Sequence, residues 1–320
     1  MRIIRNDCFC ANVKRGNSMI QSPLNYTGGK YKLLPQILPL FPKEIDCFVD
    51  MFCGGCNVGI NVSAESHIYN DCCEPLINLY TVMQTTDAAV FIEKTEKIIK
   101  KYELSDVKAH GYDYYHCSGS DGLGSYNRDQ YIKLRTDFNT LQSKNTDYYI
   151  MLYVLIVYAF NNQIRFNRNG EFNLPPGKRD FNQKMYNKLE AFIELLHSQN
   201  ATFLQKDFRK LDIDQLTGRD FVYADPPYLI TCAAYNEQGG WTEDDERDLL
   251  QMLDRLSGRG IKFALSNVLE SKGKENTILK QWVSSRQNYK MIDLNYSYKN
   301  ANYQRQNKDQ RTREILVVNY

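Results

Sequence analysis

Histidine is scarce: four occur in 320 residues, and His67, His110, His116 and His197 include no pair at metal-ligand spacing. The C-x-x-C formed by Cys53 and Cys56 has no second spaced pair to complete a zinc site. No metal is expected, and the nine cysteines read as reduced thiols of a cytoplasmic protein. Long apolar runs are also lacking. The longest, near Tyr149 to Phe160, is rich in tyrosine and falls short of the roughly 20 residues that span a bilayer. The opening MRIIRNDCFCANVKRGNS has no continuous apolar core, so it does not read as a secretory signal, and no membrane is expected as a partner. Charge of one sign is missing too. Forty basic residues face 38 acidic ones, a net +2, so a nucleic-acid partner has to be argued from local clusters.

What is present is alternation. Strand-like segments occur at Asp46–Asp50, His67–Asp71, Thr202–Gln205, Phe221–Ala224, Lys262–Ser266, Lys290–Leu294 and Glu314–Val318. Helical patterns lie between several of them, at Leu76–Met83 and from Thr242, with Asp245 as a capping-box partner, to Leu256. Strands alternating with helices predict an α/β fold with a doubly wound, mostly parallel sheet. One gap of about 130 residues, from Asp71 to Thr202, is far longer than a crossover helix needs. It holds helical patterns at Ala88–Tyr102 and Tyr148–Phe160, then a Gly/Pro-punctuated stretch. The expected organisation is a first part of the main domain at 1–80, an inserted domain at 81–199, and the rest of the main domain at 200–320. Cys117–Ser125 reads as a mobile loop.

The strand ends carry the chemistry. In DCFVDMFCGGCNVGINV a strand closes at Asp50, Gly54 and Gly55 permit tight turns near a ligand, and a helix is expected to follow. The spacing is not the G-x-G-x-x-G of dinucleotide sites. Asp71 ends the next strand, where an acid commonly accepts hydrogen bonds from a ribose. Lys206-Asp207-Phe208 places an acid and a ring after a third strand. YADPPYLIT then sets Asp225 and Tyr228 around two prolines at the end of a fourth, and prolines stop a strand and fix the backbone. In open α/β sheets ligands bind at that edge.

The other cluster is basic. Between Asn161 and Lys188, Arg165, Arg168, Lys178, Arg179, Lys184 and Lys188 are interleaved with Phe166, Phe172 and Phe181. Asn169-Gly170 is a two-residue hairpin signal, and a β-ribbon fits a DNA major groove, where an arginine can pair with a guanine edge. Lys299–Glu314 is a second basic stretch, either a solvated loop or a phosphate contact.

Together these motifs resemble the Dam-type, D12-class DNA adenine-N6 methyltransferases from about Ser22 to Tyr320. LNYTGGKYKLL resembles that family's lysine motif, DMFCGG its F-x-G-x-G loop, NDCCEPLINLY its ribose-binding acid, KDF its adenine-contacting pair, and DPPY its catalytic tetrapeptide. Cys56 stands where the loop's last glycine is usual, and Cys73 where D-x-N has Asn. The resemblance implies a class I S-adenosylmethionine-dependent fold with an inserted target-recognition domain. It implies Tyr26, Lys30, Asp50, Phe52, Gly54, Asp71, Asp207, Phe208 and Asp225 for S-adenosylmethionine, and Asp225, Pro226, Pro227 and Tyr228 for catalysis. Asp225 and the Pro226 carbonyl would accept the protons of an adenine amine while Tyr228 stacks on the base, which must leave the helix stack. For double-stranded DNA it implies Arg165 on a guanine, Phe160 and Asn161 in the gap left by the base, and Gln163, Asn167, Pro175, Lys178 and Arg179 nearby. The site would begin 5′-GA, with GATC the leading candidate. The implied setting is a bacterial or phage-encoded monomer, with three alternatives open: a restriction endonuclease sharing its site without a stable complex, action alone, or a phage enzyme. Cytosine N4 or an RNA base as target, and a non-catalytic DNA-binding relative, remain alternatives.

Overall fold

A computed structural model of the chain describes residues 19–26, 28–117, 122–231, 240–295 and 312–320. Eight strands form one sheet: β1 (Cys47–Asp50), β2 (Ser66–Asn70), β3 (Ala201–Leu204), β4 (Phe221–Ala224), β5 (Lys262–Ser271), β6 (Lys274–Glu275), β7 (Lys290–Leu294) and β8 (Thr312–Val318). Their order is β3-β2-β1-β4-β5-β8-β7, with β6 folded back on β5. The pairs among β1 to β5 are parallel, and β8 runs antiparallel between β5 and β7. The order reverses at β1, which has β2 on one side and β4 on the other. That reversal opens a crevice at the carboxyl ends of β1 and β4.

Side-chain alternation along the strands divides the core. Phe48, Tyr223, Leu316 and Val318 face one side, where Leu34 and Ile37 of the short α1 (Leu34–Ile37) cover them. On the same side Tyr69 of β2 joins the larger cluster built by α2 (Glu74–Thr85), α3 (Ala88–Lys101), α5 (Gly124–Thr140), α6 (Thr146–Tyr158) and α7 (Gln183–Ser198), with the single turn α4 (Val107–His110) between α3 and α5. Val49, Val222 and Val317 face the other side, under α8 (Glu243–Gly258) and α9 (Thr277–Ser284). The capping box expected at Thr242 and Asp245 starts α8.

The long connection from β2 to β3 is therefore helical and continuous with the sheet's own core. Residue 81, the expected boundary, lies inside α2, which runs to Thr85; the chain leaves the sheet layer there and Asp87 caps α3. Helix α6 is buried from Tyr148 to Tyr158, as a helix apolar on every side must be. It leads directly into the Phe160 segment and gives that segment a rigid base. Of the expected loop Cys117–Ser125, residues 118–121 lie outside the described residues, and α5 begins at Gly124. Among the described residues no helix is long and apolar enough to cross a membrane.

Candidate active site and nucleic-acid interface

Three carboxylates collect at the crevice. Asp50 ends β1 and is 2% exposed. Its Oδ1 is buried with no hydrogen-bond partner. Burial, and then the neighbouring Asp225 and Asp71, hold its carboxyl well above the usual carboxylate range. Asp71 follows β2. Its Oδ2 accepts from Gly54 N–H at 3.0 Å and its Oδ1 from Cys73 N–H at 2.9 Å. Burial raises its pKa against those two bonds. A buried acid with a free oxygen, repelled by two others, is an environment made for a cation.

The loop after β1 is shaped by Tyr26. A Cβ on Gly54 would lie 3.0 Å from the Tyr26 ring, and one on Gly55 2.9 Å from its Cβ, so these glycines admit the tyrosine against the loop. Gly54 has φ 43°, and its carbonyl accepts the Tyr80 hydroxyl at 2.8 Å. The helix expected after the glycines does not form. Asn-Val-Gly-Ile-Asn-Val is a poor helix former, and Asn61 turns its side chain onto the Asn57 and Ile20 carbonyls; only a 3₁₀ turn, Gly59–Asn61, results.

Asp225 follows β4. The buried Lys30 ammonium lies 2.9 Å from its Oδ2 and 3.3 Å from Glu314 Oε1, and donates to the Gly28 carbonyl at 2.8 Å. The Tyr228 hydroxyl reaches Asp225 Oδ1 at 2.9 Å and Glu314 Oε1 at 3.2 Å. Lys30 also sits 5.0 Å from the Tyr228 ring centre. Burial raises the Asp225 pKa while Lys30 and Tyr228 pull it down. For Lys30, burial works downward but the two carboxylates outweigh it, so its pKa is raised. The structure thus sets Lys30 on Asp225. Glu314 escaped sequence reading; the signal was its place at the start of β8, whose antiparallel course brings that end to the active edge.

Phe52 and Phe208 come together, ring centres 5.4 Å apart, and Trp241 joins them at 5.7 and 5.6 Å. Trp241 was not anticipated. Its Nε1–H donates to the buried Glu246 at 2.7 Å, and Glu246 is held in turn by Asn267 and Asn276. Asp207 points its carboxylate outward, to Arg209 at 3.2 Å.

The hairpin is held from below by α5. Asn139 exchanges two hydrogen bonds with the Phe172 backbone, and Arg135 and Tyr131 both donate to the Leu174 carbonyl. These residues, four apart on one helix face, serve as a substitute strand. The ribbon itself is short: Phe166 and Phe172 form one isolated bridge. Its tip differs from the expected two-residue turn. Gly170 N–H donates to the Asn167 carbonyl and Asn167 N–H to the Glu171 carbonyl, and only Gly170 of the pair has positive φ, 77°. Arg168-Asn169-Gly170 is a three-residue loop with glycine in the left-handed position. Arg165 donates through Nε to Asn173 Oδ1 at 2.7 Å and through Nη2 to the Asn173 carbonyl at 3.3 Å. Asn173 was not anticipated. Phe160 is 47% exposed, and Asn161 and Asn162 take φ 56° and 53°. The Phe160 N–H donates to the Pro175 carbonyl at 2.9 Å, tying both to one corner. Gln163 and Asn167 are half-buried; Lys178 and Arg179 are exposed.

A family model of D12 class N6 adenine-specific DNA methyltransferases matches residues 26–300. The chain belongs to that family. It is 39% identical over 307 residues to the modification methylase StsI of Streptococcus sanguinis, covering 94% of this chain and 43% of that protein. The type II methyltransferase M.FokI of Planomicrobium okeanokoites is 39% identical over 310 residues, 95% of this chain and 43% of its own length. A DNA adenine methylase of Serratia marcescens is 27% identical over 238 residues, 73% of this chain and 78% of that one. The chain spans less than half the length of the first two relatives.

As a D12 member the chain departs from the pattern at Cys56 and Cys73. Cys56 has a left-handed backbone, φ 56°, with its thiol buried beside Cys53. Cys73 occupies the N-cap of α2 and supplies no side-chain cap there. The basic stretch at Lys299–Glu314 lies outside the described residues as far as Arg311, as do residues 1–18.

Proposed function

We propose that this chain transfers a methyl group from S-adenosylmethionine to N6 of adenine in a short double-stranded DNA site. The observation that carries the reading is the pairing, at one switch point, of the proline-fixed Asp225 with the orphaned oxygen of Asp50. The cavity chemistry fits the donor: a cationic sulfonium and ammonium would relieve the repulsion around Asp50, Asp71 would take the ribose hydroxyls, and Phe52 and Phe208 would flank the adenine. Bound there, the donor supplies an electrophilic methyl group on sulfur.

The chain's own residues prepare the acceptor. Adenine N6 is a weak nucleophile because its lone pair is delocalised into the ring. Asp225 and the Pro226 carbonyl, accepting its two protons, would favour the tetrahedral nitrogen that can attack, and Pro227 would keep the corner rigid. Tyr228 would stack on the base, held in near-attack geometry. The base must be extruded to reach this corner. Phe160, exposed at the end of a rigid helix, would fill the space it leaves, with Asn161 beside it. Arg165, aimed by Asn173, would read a guanine, so the site would begin 5′-GA, with GATC the first sequence to test. Lys178 and Arg179 would contact phosphates. In this reading the β2–β3 excursion is the target-recognition unit.

Relatives are named modification methylases, and the setting proposed for this chain is cytoplasmic: a monomer that protects DNA from an endonuclease with the same site, without a stable complex. Labelled methyl transfer to DNA free of N6-methyladenine, followed by nucleoside analysis, tests the chemistry. Label in N6-methyldeoxyadenosine is expected; label in a cytosine nucleoside would overturn the reading.

A further inference from the structure

The buried corner holds one more charged group than charge balance needs. Lys30 alone would neutralise Asp225, yet Glu314, 14% exposed, is also brought to 3.3 Å from the same ammonium. A second carboxylate beside a catalytic one costs desolvation and repulsion unless it has work to do. The constraint comes from the substrate. Asp225 must offer an oxygen to the adenine amine, but Oδ2 is engaged by Lys30 at 2.9 Å and Oδ1 by Tyr228 at 2.9 Å. The ammonium cannot simply let go, because it is 3% exposed and an unpaired charge there is prohibitive.

We propose that Glu314 is the positioning residue that takes Lys30, and the Tyr228 hydroxyl, when the base arrives. This rests on the methyltransferase reading of Asp225. Both groups that occupy Asp225 already lie within reach of Glu314 Oε1, at 3.3 and 3.2 Å, so the exchange needs a shift of well under a side-chain length. The Gly28 carbonyl keeps its bond to the ammonium throughout. Glu314 never touches the substrate in this account. It acts through Lys30 and Tyr228, leaving the donor crevice around Asp50 unaltered.

The test is a double-mutant cycle on the full chain with E314Q, K30M and K30M/E314Q, plus E314D. Single-turnover methyl transfer to plasmid DNA free of N6-methyladenine is measured beside S-adenosylhomocysteine affinity. E314Q is expected to slow the single-turnover step at least fivefold with S-adenosylhomocysteine affinity within twofold, and E314D to recover part of the rate. The double variant is expected to be no more than twofold slower than K30M, since without Lys30 only the Tyr228 hydroxyl is left for Glu314 to hold. An E314Q rate within twofold of the parent, or effects of E314Q and K30M that multiply, would overturn the proposal. So would an S-adenosylhomocysteine affinity that falls in step with the rate. A parent chain that methylates nothing would instead sink the reading of Asp225 on which the proposal stands.

Discussion

Lys30 Nζ lies 2.9 Å from Asp225 Oδ2, joining the LNYTGGKYKLL segment to the DPPY tetrapeptide after β4. Burial raises the Asp225 pKa, and Lys30 is the largest influence pulling it back down. Replacing Lys30 with Met leaves two carboxylates without their cation. Methyl transfer should drop by about 10²-fold, the scale of losing a placed charge in an active site. The Asp225 pKa should rise further, so the acid limb of the kcat–pH profile moves to higher pH. Stability should fall by about 1–3 kcal/mol, less than for a sealed ion pair because both carboxylates are partly exposed. A pH-rate profile and a urea titration check both; an acid limb that stays in place contradicts the assignment.

In the proposed function Asp50 gives up stability for donor binding. Its folded-state pKa is raised, so the folded chain holds a proton that the unfolded chain releases at lower pH. Its contribution to stability is favourable below the unfolded value and is lost as pH rises through the folded value. Asp50→Asn should therefore stabilise the ligand-free protein at neutral pH by about 1 kcal/mol, in the range seen when functional strain is relieved. It should also abolish S-adenosylmethionine binding. In the parent, binding a cation should expel a proton from this group, so affinity should weaken on acidification. Calorimetry in buffers of differing ionisation enthalpy measures that proton; an unchanged affinity in Asp50→Asn would contradict the role.

Asn173 aims Arg165 through two hydrogen bonds. Arg165→Ala should cost about 1–3 kcal/mol of discrimination at the guanine proposed as its target. Asn173→Ala should relax the same position by a smaller amount and leave the other positions alone. Methylation of a library randomised at each site position separates this from a general loss of DNA affinity.

The two departures from the D12 pattern predict stabilising changes. At Cys56, with φ 56°, the ordinary preference for Ala over Gly should reverse, Cys56→Gly exceeding Cys56→Ala by about 1 kcal/mol. Cys73→Asn would restore a side-chain cap to α2 and should add about 1 kcal/mol. Denaturant midpoints of the three variants decide both points.

The parallel strands were legible because each is an apolar run with an acid or a turn at its end, and the expected spans for β1 to β4 and β7 fall within a residue of those found. Local capping was legible too, as Thr242 and Asp245 show. Helices α5 and α7 were overlooked. Helix α5 spends Tyr131, Arg135 and Asn139 on hydrogen bonds to the hairpin, which dilutes the apolar stripe a sequence reader follows. The candidate site was legible as a set of strand ends, since motif and edge coincide. What could not be read was partnership across the sheet. Glu314 meets Lys30 only because an antiparallel strand returns to the active edge, and Asn173 meets Arg165 only because the loop at Gly170 sets that register.

The proposed function stands on Asp225 activating an extruded adenine. Single-molecule sequencing of DNA from cells expressing the chain reports the modified base and its context together, with Asp225→Ala as control. The account predicts N6-methyladenine in one short sequence, absent with the variant. Methyl groups on cytosine, or an Asp225→Ala pattern equal to the parent's, would contradict it.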